Sequence, residues 1–336
     1  MLSLPRLLLA ALTLLGVSHG AAALSPLEKR AIDSALLTRF QLMAHYSAAA
    51  YCVNNHNSPG DALTCEKDKC PLVEKANAST VVEFTSTTST TGVTGYLAID
   101  PTNNLIVLTF RGSSTLNNWL TNMDFALIRT KLCSSCTVHR GFYQSWLDAR
   151  DALLDVLKAT SAQYPHYKIV VTGHSLGGAI ATLAAAQLRN DGYAVALYTL
   201  GAPRVGDAKL SKYISEQPGG NYRITHYNDP VPRMPPVLLG FVHVTPEYYI
   251  AKPNGKEVKK GDVKIVGGSI NYLSGNGAFL ETDVQAHLWY FGETGCAAKK
   301  GAKRDAEEEE EQPAAALQAE MDVMHYFQDG SDGLSV

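Results

Sequence analysis

From Ala31 the apolar positions Ile32, Leu36, Leu37, Phe40, Met43 and Ala44 recur at intervals of three and four. That spacing gathers side chains on one face and predicts an amphipathic helix running towards Cys52. Short runs follow. Residues 81–84 and 93–99 alternate apolar with polar positions, as half-buried strands do, whereas residues 105–110 are apolar throughout, as in a strand covered on both faces. Helical spacing returns over 142–159, strand character over 168–172, and helical spacing again at Ile180, Leu183, Ala184 and Leu188. A strand over 194–200, a helix near 207–214 and a strand over 222–227 complete the pattern. Strands alternating with helices predict an α/β protein with a largely parallel sheet and helices on both faces, which binds ligands at the carboxyl ends of its strands.

One strand-to-helix junction carries chemistry. Between the run ending at Thr172 and the helix beginning near Ala179 lies GHSLG, from Gly173 to Gly177. A G-x-S-x-G in this context is a nucleophile elbow: the glycines allow strand and helix to pack closely while the turn presents Ser175. The helix N-terminus behind it offers free N–H groups and a positive dipole end, which favour an oxyanion. The junction suits acyl transfer.

Composition narrows the setting. With 336 residues, 46% hydrophobic and 18% charged, the chain has ample material for a large core, and a net charge of -3 gives no reason to expect nucleic acid as partner. Residues 1–23 hold an early Arg6, an apolar stretch from Leu7 to Val17 and small residues at 20–23, the layout of a secretory signal. The apolar run is short of the roughly 20 residues a span requires, so export is predicted and no transmembrane segment. Lys29-Arg30 marks the end of a short propeptide over 24–30. Asn77-Ala78-Ser79 is an N-glycosylation acceptor at a surface position. After Cys296 the composition changes to Lys299, Lys300, Lys303 and Arg304 followed by Glu307 to Glu311, so residues 297–336 read as a solvated, disordered tail beyond a catalytic domain over 31–296.

Six cysteines in an exported chain read as three disulfides, which allow fifteen pairings. Cys65/Cys70 and Cys133/Cys136 are near enough to close short loops, leaving Cys52 with Cys296. Cys133-x-x-Cys136 finds no second ligand pair at zinc-finger spacing, so neither metal nor cofactor is expected.

Ser175 needs a base and an acid, which in this fold follow it in the order acid, then His. Asp229 stands directly after the strand over 222–227, where a strand end delivers a carboxylate to the active rim, although an Asp before Pro230 also starts turns. For the base, His243 and His287 are equivalent on physical grounds alone, and His325 lies in the tail.

The blocks SAAAYC, LIVLTFRGSS, VVTGHSLGGA, LGAPRVGD, YRITHYNDPVPRMPP, PEYYI and AHLWYFG, in this order, resemble the filamentous-fungal class 3 lipases of the Thermomyces and Rhizomucor type. The resemblance spans roughly 31–296. It implies an α/β-hydrolase fold with a short helical lid, a triad of Ser175, Asp229 and His287, and an oxyanion hole at Ser113 and the Leu176 N–H. It also implies the disulfides Cys52–Cys296, Cys65–Cys70 and Cys133–Cys136. The segment after Ser113 is where the family carries its lid, and here Leu116, Trp119, Leu120 and Met123 fall on one helical face with Asn117, Asn118, Thr121 and Asn122 opposite.

The expected function is therefore a secreted triacylglycerol lipase acting on lipid at an oil–water interface, with no obligate protein partner. A feruloyl-type esterase or a phospholipase of the same fold is the alternative, and a catalytically inactive lipid-surface binder is the reading from another class. The apolar lid face argues against the feruloyl-type flap, and the complete Ser, Asp and His set against the inactive binder.

Overall fold

The computed structural model describes residues 31–296 apart from 57, 86–89, 117–118 and 120–122. The expected signal, propeptide and tail, together with His325 and Leu120, lie outside the described residues. The first helix, α1 (Ser34–Ala49), begins where the Asp33 carboxylate accepts a hydrogen bond from the Leu36 N–H at 2.7 Å, an N-cap that the apolar spacing alone did not locate. Phe40, fully buried, meets Tyr198, Tyr222 and Tyr248 edge-on with ring centroids 5.1–6.2 Å apart and pins α1 to the sheet.

The strands are β1 (Ser79–Phe84), β2 (Gly95–Asp100), β3 (Leu105–Phe110), β4 (Leu127–Arg129), β5 (Thr137–His139), β6 (Lys168–His174), β7 (Val195–Leu200), β8 (Asn221–His226), β9 (Glu247–Ile250) and β10 (Val263–Val266). Eight of them form one sheet in the order β1-β2-β3-β6-β7-β8-β9-β10, and β4 and β5 pair separately. From β3 to β9 neighbours run parallel, while β1, β2 and β10 pair antiparallel at the two edges. Further α-helices are α2 (Pro71–Lys75), α3 (Arg140–Gln163), α4 (Leu176–Asn190), α5 (Ala208–Glu216) and α6 (Val284–His287).

Side chains alternate between two cores. Leu97, Ile106, Leu108 and Val171 face α3 and α4, whereas Tyr96, Ala98, Val107 and Val170 face α1 and α2. Every residue of β2 is buried, so the alternation read over 93–99 does not mark a solvent face: Tyr96 carries its hydroxyl inward, where it donates to the Tyr46 carbonyl at 2.7 Å. The strands β9 and β10, of four residues each, were not anticipated, because Pro246 and the turns around them leave too little pattern to read.

The disulfides are Cys52–Cys296, Cys65–Cys70 and Cys133–Cys136. The first joins the end of α1 to the chain beyond α6 across 244 residues of sequence. Constraint of so long an unfolded loop is worth on the order of 3–5 kcal/mol.

His139 ties stability to pH. It is 3% exposed, stacks on Phe142 with centroids 3.7 Å apart, and its Nδ1 accepts the Phe142 N–H at the start of α3. Burial lowers its pKa from 6.5 to about 4. Between these values the unfolded chain binds the proton first, so the contribution of neutral His139 is complete above pH 6.5 and is lost as pH falls towards 4. A drop from pH 7 to 5 should remove about 2 kcal/mol through this residue. Urea midpoints at the two pH values, compared with His139→Asn, which caps without titrating, should show a smaller fall in the variant.

Candidate active site

The carboxyl ends of the sheet's strands hold Ser175 and Asp229, and helices and loops bring the rest of the site to them. The strand β6 ends at His174, and Ser175 then adopts φ 58°, ψ -130° before α4 departs. That backbone geometry is strained for any residue with a side chain, and its N–H is held by the Leu200 carbonyl at the end of β7 (2.9 Å). A Cβ on Gly173 would collide with the backbone of Gly177, and one on Gly177 with the Phe110 carbonyl, so the first turn of α4 rests directly on the ends of β3 and β6. The Leu176 N–H opens that first turn, where helical N–H groups have no intrahelical acceptor.

β3 runs out at Phe110 into Arg111-Gly112-Ser113. A Cβ on Gly112 would stand 2.9 Å from the Ser175 Cβ, which places half-buried Ser113 beside the elbow. Tyr51, from the loop after α1, reaches across to the same point: its hydroxyl is 2.8 Å from His174 Nδ1 and takes the Gly112 N–H. His174 Nε2 lies 2.9 Å from the His287 carbonyl, which only accepts, so Nε2 carries the proton and Nδ1 accepts from Tyr51. Burial, then the neighbouring His287, keep His174 well below the usual imidazole range, which holds it in this neutral form.

The acid and base come from the far side of the elbow. Asp229 stands three residues after the end of β8 and is wholly buried. Its Oδ1 accepts the Val231 N–H at 2.8 Å, its Oδ2 accepts the Tyr290 hydroxyl at 2.6 Å, and His287 Nδ1 lies 3.0 and 2.9 Å from the two oxygens. The Asp229 carbonyl is held by the Asn276 amide at 2.9 Å. His287 ends α6, and the preceding Ala286 carbonyl is bound by a ring nitrogen of His226 at 2.8 Å. With its Nδ1 proton donated to a carboxylate, His287 keeps the Nε2 lone pair free to act as a base.

His287 Nε2 and Ser175 Oγ are both buried, and neither makes a hydrogen bond in this conformation. The base and its orienter are joined, and the nucleophile is not yet engaged, as is common before substrate binds. His174 and His287 rings lie 4.4 Å apart, so the residue before the nucleophile touches the base. His243, equivalent to His287 on sequence grounds, lies elsewhere: its Nε2 meets the Pro232 carbonyl, and burial together with Arg223 and Arg204 holds it well below the usual imidazole range.

Of the lid residues, Leu116 and Trp119 are helical and half-buried, with Trp119 stacked on Phe142 at 6.4 Å, and Met123 is half-buried beyond the helix. Asn77 is exposed, in a turn after α2 with φ 51°.

Tyr290, Tyr51 and Gly201 escaped the sequence reading. Tyr290 stands three residues after His287 in AHLWYFG, and burial followed by the charge of Asp229 raises its pKa well above 10, so it remains a donor. Gly201, with φ 58°, follows β7 and faces the acid–base pair: a Cβ there would stand 2.9 Å from Asp229 Oδ2 and from His287 Nδ1. Gly201→Ala should therefore push the pair apart and lower kcat by about a hundredfold, the usual penalty for a displacement near 1 Å. Steady-state rates at saturating substrate, with Tm as the control for folding, check this.

A serine elbow at the carboxyl ends of a parallel sheet, facing a buried Asp–His pair, defines a serine ester hydrolase of the α/β-hydrolase fold. The chain belongs to the class 3 lipases: the family model "Lipase (class 3)" matches residues 107–239, and "Lipase 3 N-terminal region" matches 8–80. It is 43% identical over 278 residues to secreted mono- and diacylglycerol lipase A of Penicillium cyclopium, covering 82% of this chain and 90% of that one. It is 37% identical over 301 residues to secreted mono- and diacylglycerol lipase 1 of Fusarium solani, covering 88% and 89%. The crystal structure of mono- and diacylglycerol lipase from Aspergillus oryzae superposes with a TM-score of 0.73 at 38% identity, over 77% of this chain and 97% of that one. The protein is thus a secreted lipase, and among its described residues no helix is long and apolar enough to cross a membrane.

Proposed function

We propose that Ser175, His287 and Asp229 form the catalytic triad of an acylglycerol lipase. The observation that carries this is the Asp229–His287 pair, bonded at 2.9 Å and buried beside the strained serine. Ser175 Oγ attacks the ester carbonyl as His287 Nε2 takes its proton, and Asp229 stabilises the imidazolium. The oxyanion sits between the Leu176 N–H and Ser113, through its N–H and hydroxyl. His287 protonates the leaving alcohol, and water repeats the cycle on the acyl enzyme. Ser175 is only 2% exposed, so a bulky lipid reaches it after a movement of its cover. Leu116, Trp119 and Met123 are the apolar side of that lid and turn towards lipid on opening.

The names of the Penicillium, Fusarium and Aspergillus relatives point to mono- and diacylglycerols as the preferred substrates. Titration of the acid released from emulsified mono-, di- and triacylglycerol and from methyl ferulate by one preparation tests both parts. The partial glycerides should be hydrolysed fastest. Faster turnover of triacylglycerol would shift the reading to a general triacylglycerol lipase, and faster turnover of the ferulate would remove the lipase reading of this site.

A further inference from the structure

At the opposite end of the sheet from Ser175 lies a groove of about 510 Å³, within the roughly 300–1,000 Å³ of small-ligand sites. Its position follows from register: Ile99 and Pro101, which line it, lie at the end of β2 that pairs with the start of β3, and β3 starts level with the start of β6. Tyr164 and Tyr167, half-buried just beyond α3 with rings 5.0 Å apart, and Pro101 give it apolar ring faces. Ser79 and Gln163 add hydrogen-bonding groups, and the Thr80 hydroxyl, which donates to the Ser58 carbonyl at 3.2 Å, keeps an accepting lone pair. Ring faces beside hydroxyls and an amide suit a sugar, which has apolar C–H faces and a polar rim.

An attachment point stands two residues before the groove-lining Ser79. Asn77 is exposed and heads the acceptor Asn77-Ala78-Ser79. Two residues on, Ser79 and Thr80 line the groove; on the other side, the Ala76 carbonyl accepts the Thr102 hydroxyl at 2.8 Å, next to Pro101. A left-handed turn at φ 51° accounts for an asparagine at 77, but not for a groove of ring faces and hydrogen-bonding groups two residues along the chain.

We propose that Asn77 is N-glycosylated and that the inner sugars of its glycan lie in this groove against Tyr164 and Tyr167. In the attachment, the Asn77 side-chain nitrogen displaces the pyrophosphate of a lipid-linked oligosaccharide. The N–C1 bond forms, the C1–O bond to the pyrophosphate breaks with its electron pair leaving on that oxygen, and the amide gives up one proton. Because the sugar is tethered, its effective concentration at the groove is in the millimolar range, so even a contact of about 1 mM affinity is substantially occupied.

The test uses the full chain secreted from a eukaryotic host. Mass spectrometry of the peptide bearing Asn77, before and after amidase release of N-glycans, should show a glycan and the Asn to Asp conversion. Release from the folded enzyme should raise the rate of tyrosine nitration at 164 and 167 severalfold, leave buried Tyr96 unchanged and lower Tm by about 2–4 °C, the size of a 1 kcal/mol loss in a domain of this length. In Tyr167→Ser the Tm difference between glycosylated and released forms should shrink. An unmodified Asn77, or equal nitration of Tyr164 and Tyr167 in the two forms, overturns the proposal. The mass-spectrometric and nitration outcomes use only the unsubstituted chain, so failure of Tyr167→Ser to fold does not decide the result.

Discussion

Ser175→Ala should lower kcat on an emulsified acylglycerol by about six orders of magnitude, the scale seen when a serine nucleophile is removed from a complete triad. The reason lies in what remains. His287 stays oriented by Asp229, and the N-terminus of α4 still offers the Leu176 N–H, so a water molecule can be activated and a developing oxyanion stabilised. No covalent acyl enzyme can form, and the residual rate is that of the surrounding dipoles alone. The backbone gives an internal control. Position 175 holds φ 58°, ψ -130°, which strains alanine about as much as serine but not glycine. Ser175→Gly should be equally inactive yet more stable than Ser175→Ala, by about 1–3 kcal/mol in a urea titration. Retention of more than a trace of activity in both variants, with the fold intact, would remove Ser175 from the mechanism.

The elbow was legible in sequence because its information is local: a strand, five residues and a helix, each set by its neighbours. The same holds for Asp229, delivered by the end of β8, and for the alternation of strands and helices. What could not be read depends on distance across the fold. His243 and His287 look alike along the chain, and only packing separates them: one lies against Arg223 and Arg204, the other between Asp229 and the elbow. Family resemblance supplied that choice where physics did not. Gly201 and Tyr290 carry no motif of their own chemistry. Their roles arise because β7 ends beneath the Asp–His pair and because the turn after α6 returns Tyr290 to Asp229, facts of tertiary structure that no spacing rule contains. Likewise β2 reads as alternating yet is buried on both faces, since α1 covers its tyrosine side with a partner for the hydroxyl.

Asp229→Asn should leave KM nearly unchanged and lower kcat by about four orders of magnitude near neutral pH, as when the acid of a serine triad becomes an amide. The native carboxylate faces donors only: the Val231 N–H, the Tyr290 hydroxyl and the His287 Nδ1–H. An ionised carboxylate accepts from all of them, whereas an asparagine amide has one accepting oxygen and an NH₂ that must itself find an acceptor. Besides the Tyr290 hydroxyl, which can turn to accept, the neighbour able to take that N–H is an imidazole in the other tautomer, with Nδ1 bare and Nε2 protonated. That tautomer aims a proton at Ser175 where a lone pair is needed, so the base is lost although the geometry survives. Tyr290→Phe separates charge from geometry. It removes one donor from Asp229 Oδ2 but leaves the carboxylate and the His287 bond, so its kcat should fall by roughly ten- to a hundredfold, the worth of one hydrogen bond to a charged group and well short of the asparagine variant's loss. The ordering is the test: if the phenylalanine variant loses as much as the asparagine variant, with both folded, then Asp229 acts by fixing a buried framework and not by setting the tautomer and charge of His287.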